Sequence, residues 1–300
     1  MDPVDLWTLN LRTLEPLEPF EPLNVVDFHS FEQSGWERAA GRYGDAFGGL
    51  TSQTILRLLA AANVGRGTRL LDVASGPGYV AGAAEALGAI AIGVDFSSEM
   101  VRLAANRFPG IRFQEGDAEA LSFPDASFDA VAINFGVLHL ARPDAALAEA
   151  RRVLVAGGRC ALTVWAKPEI SVGFGIVLRA IETHGRLDVP LPEGPPFFRF
   201  SDPDEAARSM RAAGFVDPRV EQIPLVWRLE SVDALYDAFV EGAVRTAALL
   251  KAQTPEATVA IRRAIVDSLG PYRRGDAFEL PMAAVLSSAA VPTSRTAQSS

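Results

Sequence analysis

The hydrophobic positions of this chain change rhythm twice. Between residues 31 and 46, Phe31, Trp36, Ala39, Ala40 and Tyr43 recur at spacings of three to five, which predicts an amphipathic helix, and residues 51–62 predict a second apolar one. From residue 69 the rhythm becomes a regular alternation of short apolar runs and helical stretches, the pattern of βαβ units on a parallel sheet. Strands are predicted over 69–74, 90–95, 111–115, 128–134 and 158–166, each bounded by Gly, Pro, Asp or Asn, with helices over 79–87, 98–107 and 143–155. Gly65-Arg66-Gly67, Pro109-Gly110 and Gly157-Gly158 supply turns between them. Past Lys167-Pro168 the alternation loosens. A helix within 169–201 leads to a Pro- and Phe-rich loop over 190–200, too apolar for an idle linker, and then to a helix over 203–213 and a strand over 218–228. Two helices over 231–251 and 255–269 and a last strand over 277–288 follow.

Composition bounds what such a chain can be. Three hundred residues, 49% hydrophobic and 22% charged, suffice for one full core and a smaller annex, and exclude disorder, collagen-like repeats and a disulfide scaffold. The 37 acidic residues against 28 basic ones give a net charge of −9, so no broad electropositive surface is expected and no nucleic-acid partner. Cys160 is the only cysteine and reads as a buried structural thiol. With it, the scattered His29, His139 and His184 make no zinc site, and no metal is expected. No uncharged apolar run reaches the ~18 residues of a membrane helix. The start, Met1-Asp2-Pro3-Val4-Asp5, lacks the basic and apolar parts of a signal peptide, so a cytoplasmic protein without membrane insertion is expected. Proline at every third position between Leu14 and Pro22 predicts an extended leader over 1–30, and the small polar residues after Pro292 a flexible tail over 291–300.

The candidate chemistry begins at Leu70-Leu71-Asp72-Val73-Ala74-Ser75-Gly76-Pro77-Gly78-Tyr79-Val80-Ala81, where an apolar strand enters a Gly-rich turn and then a helix. Small residues there let a ligand press against backbone and helix N-terminal amides. The glycine spacing alone also fits a dinucleotide fingerprint, with Asp95 at about the distance expected for a ribose acid. Asp72 separates the readings. It lies inside the strand, where a dinucleotide-binding strand carries an apolar residue, and a carboxylate there is costly unless hydrogen-bonded.

At this point the sequence resembles the class I S-adenosylmethionine-dependent methyltransferases, whose first motif is an acid followed by alternating glycines, here Asp72-x-Ala74-x-Gly76-x-Gly78, with Ala74 where the family usually has glycine. Gly93-Val94-Asp95-Phe96-Ser97, Glu115-Gly116-Asp117-Ala118-Glu119, Phe128 to Asn134, and Glu149 to Leu154 with Gly157-Gly158-Arg159 follow in the family's order. The flavour is that of the small-molecule branch with the ubiquinone and menaquinone biosynthesis enzymes. The resemblance implies an α/β fold: a Rossmann-like, doubly wound, seven-stranded sheet, mostly parallel with the last strand antiparallel, an N-terminal helical lid, and helical insertions after strands 5 and 6. Lid and cofactor core would occupy 31–167; acceptor-covering helices and the last two strands would occupy 168–290. It implies S-adenosyl-L-methionine as cofactor, a small and hydrophobic or aromatic acceptor, and is compatible with a homodimer.

Within that resemblance Asp72, Ala74, Gly76 and Gly78 form the cofactor loop, Asp95 takes the ribose hydroxyls, and Asp117 with Ala118 takes adenine. Phe96 and Met100 flank adenine or belong to the core. Asn134, at the carboxyl edge of the sheet, meets the methionine part. Tyr43 resembles a tyrosine that closes over the cofactor, and reads equally as a packing residue. His139 follows the fourth strand closely, and a side chain that changes charge near neutrality suits a general base, although a loop-anchoring histidine fits as well. Phe174, Phe197, Phe198, Phe200, Trp227, Tyr236 and Phe239 pack the annex or line an acceptor pocket. A nicotinamide-dependent dehydrogenase and a non-catalytic regulatory module that kept the cofactor site are the alternatives.

Overall fold

The computed structural model describes residues 27–293; the expected leader up to residue 26 and the tail from residue 294 lie outside the described residues. Residues 27–30 do not belong to a leader. Asp27 caps a helix, its carboxylate accepting from Ser30 N at 3.0 Å and Ser30 Oγ at 2.8 Å, so α1 (Phe28–Tyr43) begins earlier than the periodicity predicts. It runs through a widened π-type turn at Gly44–Gly48 into α2 (Gly49–Thr51), then through a tight turn at Ser52–Thr54 into α3 (Ile55–Ala61). The widened turn lies over the Tyr79 hydroxyl, which a Cβ at Gly48 would meet at 3.0 Å.

Strands β1 (Arg69–Val73), β2 (Ile90–Asp95), β3 (Arg112–Glu115), β4 (Phe128–Asn134) and β5 (Leu154–Trp165) alternate with α4 (Tyr79–Ala86), α5 (Ser98–Arg107) and α6 (Pro143–Val153). The chain then adds α7 (Val172–His184), α8 (Pro203–Ala212), β6 (Val216–Leu229), α9 (Ala234–Gly242), α10 (Arg245–Lys251), α11 (Pro255–Ser268), β7 (Arg273–Arg274) and β8 (Ala277–Ala290). The sheet order is β3-β2-β1-β4-β5-β8-β6, parallel from β3 to β5, with β8 antiparallel to both β5 and β6. This is the expected doubly wound sheet. It counts eight strands rather than seven because the two-residue β7 pairs with β8. Helices cover both faces, so β1 is apolar at consecutive positions; Leu70 and Leu71 are both fully buried, and truncating either to Ala costs about 2–5 kcal/mol. Cys160 on β5 is buried as expected, and burial pushes its thiol up to about 12.

Two local expectations are corrected. Gly157-Gly158 is no turn between helix and strand: α6 ends at Val153, β5 starts at Leu154, and the glycines sit in a bulge within it, where the register against β4 slips and Gly157 has φ +79°. There Val291 is still tied to the sheet, its N–H donating to Gly158 O at 2.8 Å. The stretch 231–251 is two helices, because Ala243 is extended (φ −124°, ψ 167°) between α9 and α10. This break matters, since it turns Ala243 to Thr246 toward the sheet's carboxyl edge. At the far edge of the sheet β6 has no strand on its outer side among the described residues; that side is crossed by Gln53, whose side-chain amide donates to Val226 O at 2.8 Å and accepts from Val226 N at 3.1 Å.

Candidate active site

Because strand order reverses between β1 and β4, their carboxyl ends diverge and leave a crevice. α1, the π-type turn and the α9–α10 break roof it into one cavity of about 1170 Å³, counting its open mouth. One end is polar and built by the loop after β1. Ala74 (φ +53°), Gly76 (+50°) and Gly78 (+81°) are all left-handed, so the glycine usual at position 74 has a conformational reason, and Ala74 holds the same turn under strain. A Cβ on Gly76 would meet nothing within 4 Å, which leaves its backbone open to a ligand. Gly78 differs. A Cβ there would stand 2.7 Å from the Phe113 ring, so this glycine serves helix–sheet packing and does not line the cavity.

Asp72 is fully buried at the cavity wall. Its Oδ2 accepts Ala81 N at 3.0 Å, while Oδ1 has no partner among the described residues, and burial pushes the carboxyl up to about 8. Ser75 Oγ beside it is likewise buried and unpartnered. Asp95, at the end of β2, accepts Gly76 N at 2.8 Å and Ser97 N at 2.9 Å; burial raises it to about 6 against these bonds. Ser97 caps α5 by accepting from Met100 N, as a serine there should, so the aspartate is not consumed as the cap. Phe96, Met100 and Ala118 also reach the wall. Asp117 does not. Its Oδ1 accepts Glu119 N at 2.8 Å, and the carboxylate stands near His29 and Glu119 behind the wall.

Tyr43 lines the cavity, its hydroxyl donating to Thr51 Oγ1 at 3.1 Å, and burial raises the phenol to about 12. Asn134 is a hub rather than a free hand: its Oδ1 accepts from Thr54 Oγ1 (2.8 Å) and Thr163 Oγ1 (2.6 Å), and its Nδ2 donates to Thr51 O (3.2 Å). The opposite end of the cavity is aromatic. Ring centroids link Phe135 to Trp165 (4.1 Å), Trp165 to Phe174 (5.4 Å), Phe174 to Phe197 (5.8 Å), Phe197 to His139 (6.0 Å) and His139 to Trp36 (4.8 Å). Of the aromatic group expected to cover the site, Phe174 and Phe197 line it, whereas Trp227 and Phe239 pack behind Phe47.

His139 Nδ1 lies 2.9 Å from Glu32 Oε2, and Arg245 Nε donates to Glu32 Oε1 at 2.7 Å. Glu32 is completely buried; burial would raise its carboxyl, but His139 and Arg245 outweigh it and hold it below the usual carboxylate range. Neither Glu32 nor Arg245 was singled out by the sequence. A signal for the first existed: Phe28, Glu32, Gly35 and Ala39 form one buried stripe of α1, and a charge on such a stripe requires a partner.

A family profile described as a methyltransferase domain matches residues 71–162, from within β1 to within β5. The demethylmenaquinone methyltransferase of Clavibacter sepedonicus is 36% identical over 121 residues, 38% of this chain and 49% of its own. That of Deinococcus radiodurans is 38% identical over 165 residues, 49% of this chain and 67% of its own. The chain thus spans about half the length of the first of these curated relatives. Among solved structures, phosphoethanolamine N-methyltransferase 2 of Haemonchus contortus in complex with S-adenosyl-L-methionine shares the fold with a TM-score of 0.54 and 19% identity, over 90% of this chain and 61% of that one.

Proposed function

Since the chain belongs to the class I S-adenosylmethionine-dependent methyltransferases, we propose that it methylates a small aromatic metabolite held in the aromatic end of the cavity. The observation that carries this reading is a pair of cavity-lining side chains, Asp72 and Ser75, whose buried Oδ1 and Oγ have no partner among the described residues, in a cavity whose other end is lined by aromatic side chains. A buried polar atom without a partner is costly, and these two await donors and acceptors that a ligand brings. The donor set fits S-adenosylmethionine: Asp72 and Ser75 for its ammonium end, Asp95 for the ribose hydroxyls, Phe96, Met100 and Ala118 around adenine. A flat apolar ring system, as in the acceptor that the demethylmenaquinone methyltransferases are named for, suits the opposite end, whatever group on it takes the methyl.

The cofactor supplies a methyl group already activated by its positive sulfur. The chain's own residues then have a modest task. The left-handed loop 74–78 and Asp95 fix the donor side, and the aromatic ring from Trp36 to Phe135 aligns the acceptor and excludes water, so most of the acceleration is proximity and alignment. His139, which lines the same cavity, would accept the acceptor's proton. The test is thermal stabilisation by S-adenosylhomocysteine against NAD and NADP. Stabilisation by S-adenosylhomocysteine is expected; stabilisation by a nicotinamide cofactor alone would sink the reading, and binding without turnover on any aromatic acceptor would favour a regulatory module.

A further inference from the structure

We propose that Glu32 is a positioning residue that fixes the tautomer of His139, leaving Nε2 bare to take a hydroxyl proton, and that the acceptor is therefore a neutral hydroxylated aromatic ring methylated on oxygen. This rests on the methyltransferase reading of the same cavity. An ionised carboxylate only accepts hydrogen bonds, so the contact of 2.9 Å between Glu32 Oε2 and His139 Nδ1 places the proton on Nδ1. Among the described residues no group bonds Nε2, and the ring lines the cavity between Trp36 and Phe197. Arg245 completes the device. Its Nε donates to the other oxygen of Glu32, and its Nη1 and Nη2 donate to Pro195 O (2.8 Å) and Leu138 O (2.7 Å), so the carboxylate cannot rotate away from the imidazole.

The same bonds decide the acceptor class. Arg245 is the only Arg or Lys lining the cavity among the described residues, and each of its nitrogens is already engaged, so no described cation is left free to receive an anionic acceptor; the Tyr43 hydroxyl is likewise held by Thr51, and Asn134 by Thr54 and Thr163. Neutral aromatic walls and one bare imidazole nitrogen suit a ring hydroxyl. In the transfer, the acceptor's proton passes to His139 Nε2 and the freed oxygen pair forms the new O–CH3 bond. The pair of the broken C–S bond stays on sulfur. The imidazolium so formed is neutralised by Glu32 at the far side of the ring and later releases its proton to water.

Nitrogen-15 NMR of the full chain, labelled at histidine and without added ligand at about pH 8, tests the device independently of any activity. The His139 signals, assigned by their loss in His139→Asn, should show the proton on Nδ1, and Glu32→Gln should reverse the pattern because a Gln amide donates to Nδ1. A wild-type proton on Nε2, or an unchanged pattern in Glu32→Gln, would overturn the assignment. The second arm uses ring-substituted naphthols of decreasing hydroxyl pKa as acceptors. Glu32→Gln should lose roughly 10²- to 10⁴-fold in rate on the least acidic naphthols and progressively less on those already ionised. A loss independent of acceptor acidity would mean a merely structural Glu32, and no O-methyl product from the wild type on any naphthol would remove the hydroxyl acceptor. Failure of the methyltransferase reading itself would show separately, as absent stabilisation by S-adenosylhomocysteine.

Discussion

Replacing Asp72 by Asn removes a charge from β1 and keeps its shape. The variant still offers a carbonyl oxygen to Ala81 N, so the start of α4 stays anchored, and what changes is the energy of a buried carboxylate whose Oδ1 lacks a partner. In the unfolded chain this carboxyl titrates near 3.8, and burial raises it to about 8 in the folded one. Between these values the folded state keeps a proton that the unfolded state has released, so the contribution of Asp72 to stability falls as pH rises from about 4 to about 8 and is constant above. At about 1.36 kcal/mol per pKa unit the ceiling of this penalty is ~6 kcal/mol. Relaxation of the protein around a real buried charge keeps the effective penalty well below that ceiling, at about 2–3 kcal/mol. Without cofactor, Asp72→Asn should therefore melt about 5 °C above the wild type at about pH 8 and much less so at about pH 5, while its affinity for S-adenosylhomocysteine drops. Melting curves by circular dichroism at both pH values read the difference. Equal or lower stability of the variant at the higher pH, or the same gain at both, would refute the account of Asp72 as a strained ligand group.

Two further outcomes are expected. Asp95→Ala should weaken S-adenosylhomocysteine at least about tenfold, the size of one charge-assisted hydrogen bond, and calorimetry showing an unchanged Kd would remove Asp95 from the site. Gly136→Ala would bring a Cβ to 2.5 Å from that of Ala74, at a cost of roughly 1–3 kcal/mol. In an Ala74→Gly background that cost should shrink by about 1 kcal/mol or more, measured by chemical denaturation; strictly additive penalties would show that the two positions do not share the space.

The parts of the site that the sequence made legible are those in which local chemistry and local structure coincide. Asp72 to Gly78 and Asp95 to Ser97 are a strand end, a turn and a helix start within a few residues, so residue type, spacing and conformation carry the same message. Gly78 and Asp117 show the limit. Their motifs are in place, yet Gly78 is needed for the Phe113 ring and Asp117 for its own turn. The missing residues are joined across long separations. Glu32 meets His139 107 positions later and Arg245 213 positions later, and periodicity is blind to such pairs. The onset of α1 was lost for a smaller reason: Asp27 is an ordinary helix cap, but the residues before it read as a proline-rich leader and drew Phe28 to Ser30 with them.

Gln53 bears on how copies of this chain can meet. A free strand edge is a template for another strand, and here the side-chain amide occupies both the N–H and the C=O of Val226, much as a neighbouring strand would. Further along the same strand Pro224 has no N–H to offer, and near its start Pro218 and the register slip after Val216 interrupt the ladder again. A second copy could extend the sheet only by expelling Gln53 and then pairing around two prolines. Self-association of this chain is thereby steered away from backbone pairing, and the outer strand is shielded from the edge-to-edge growth that ends in aggregates.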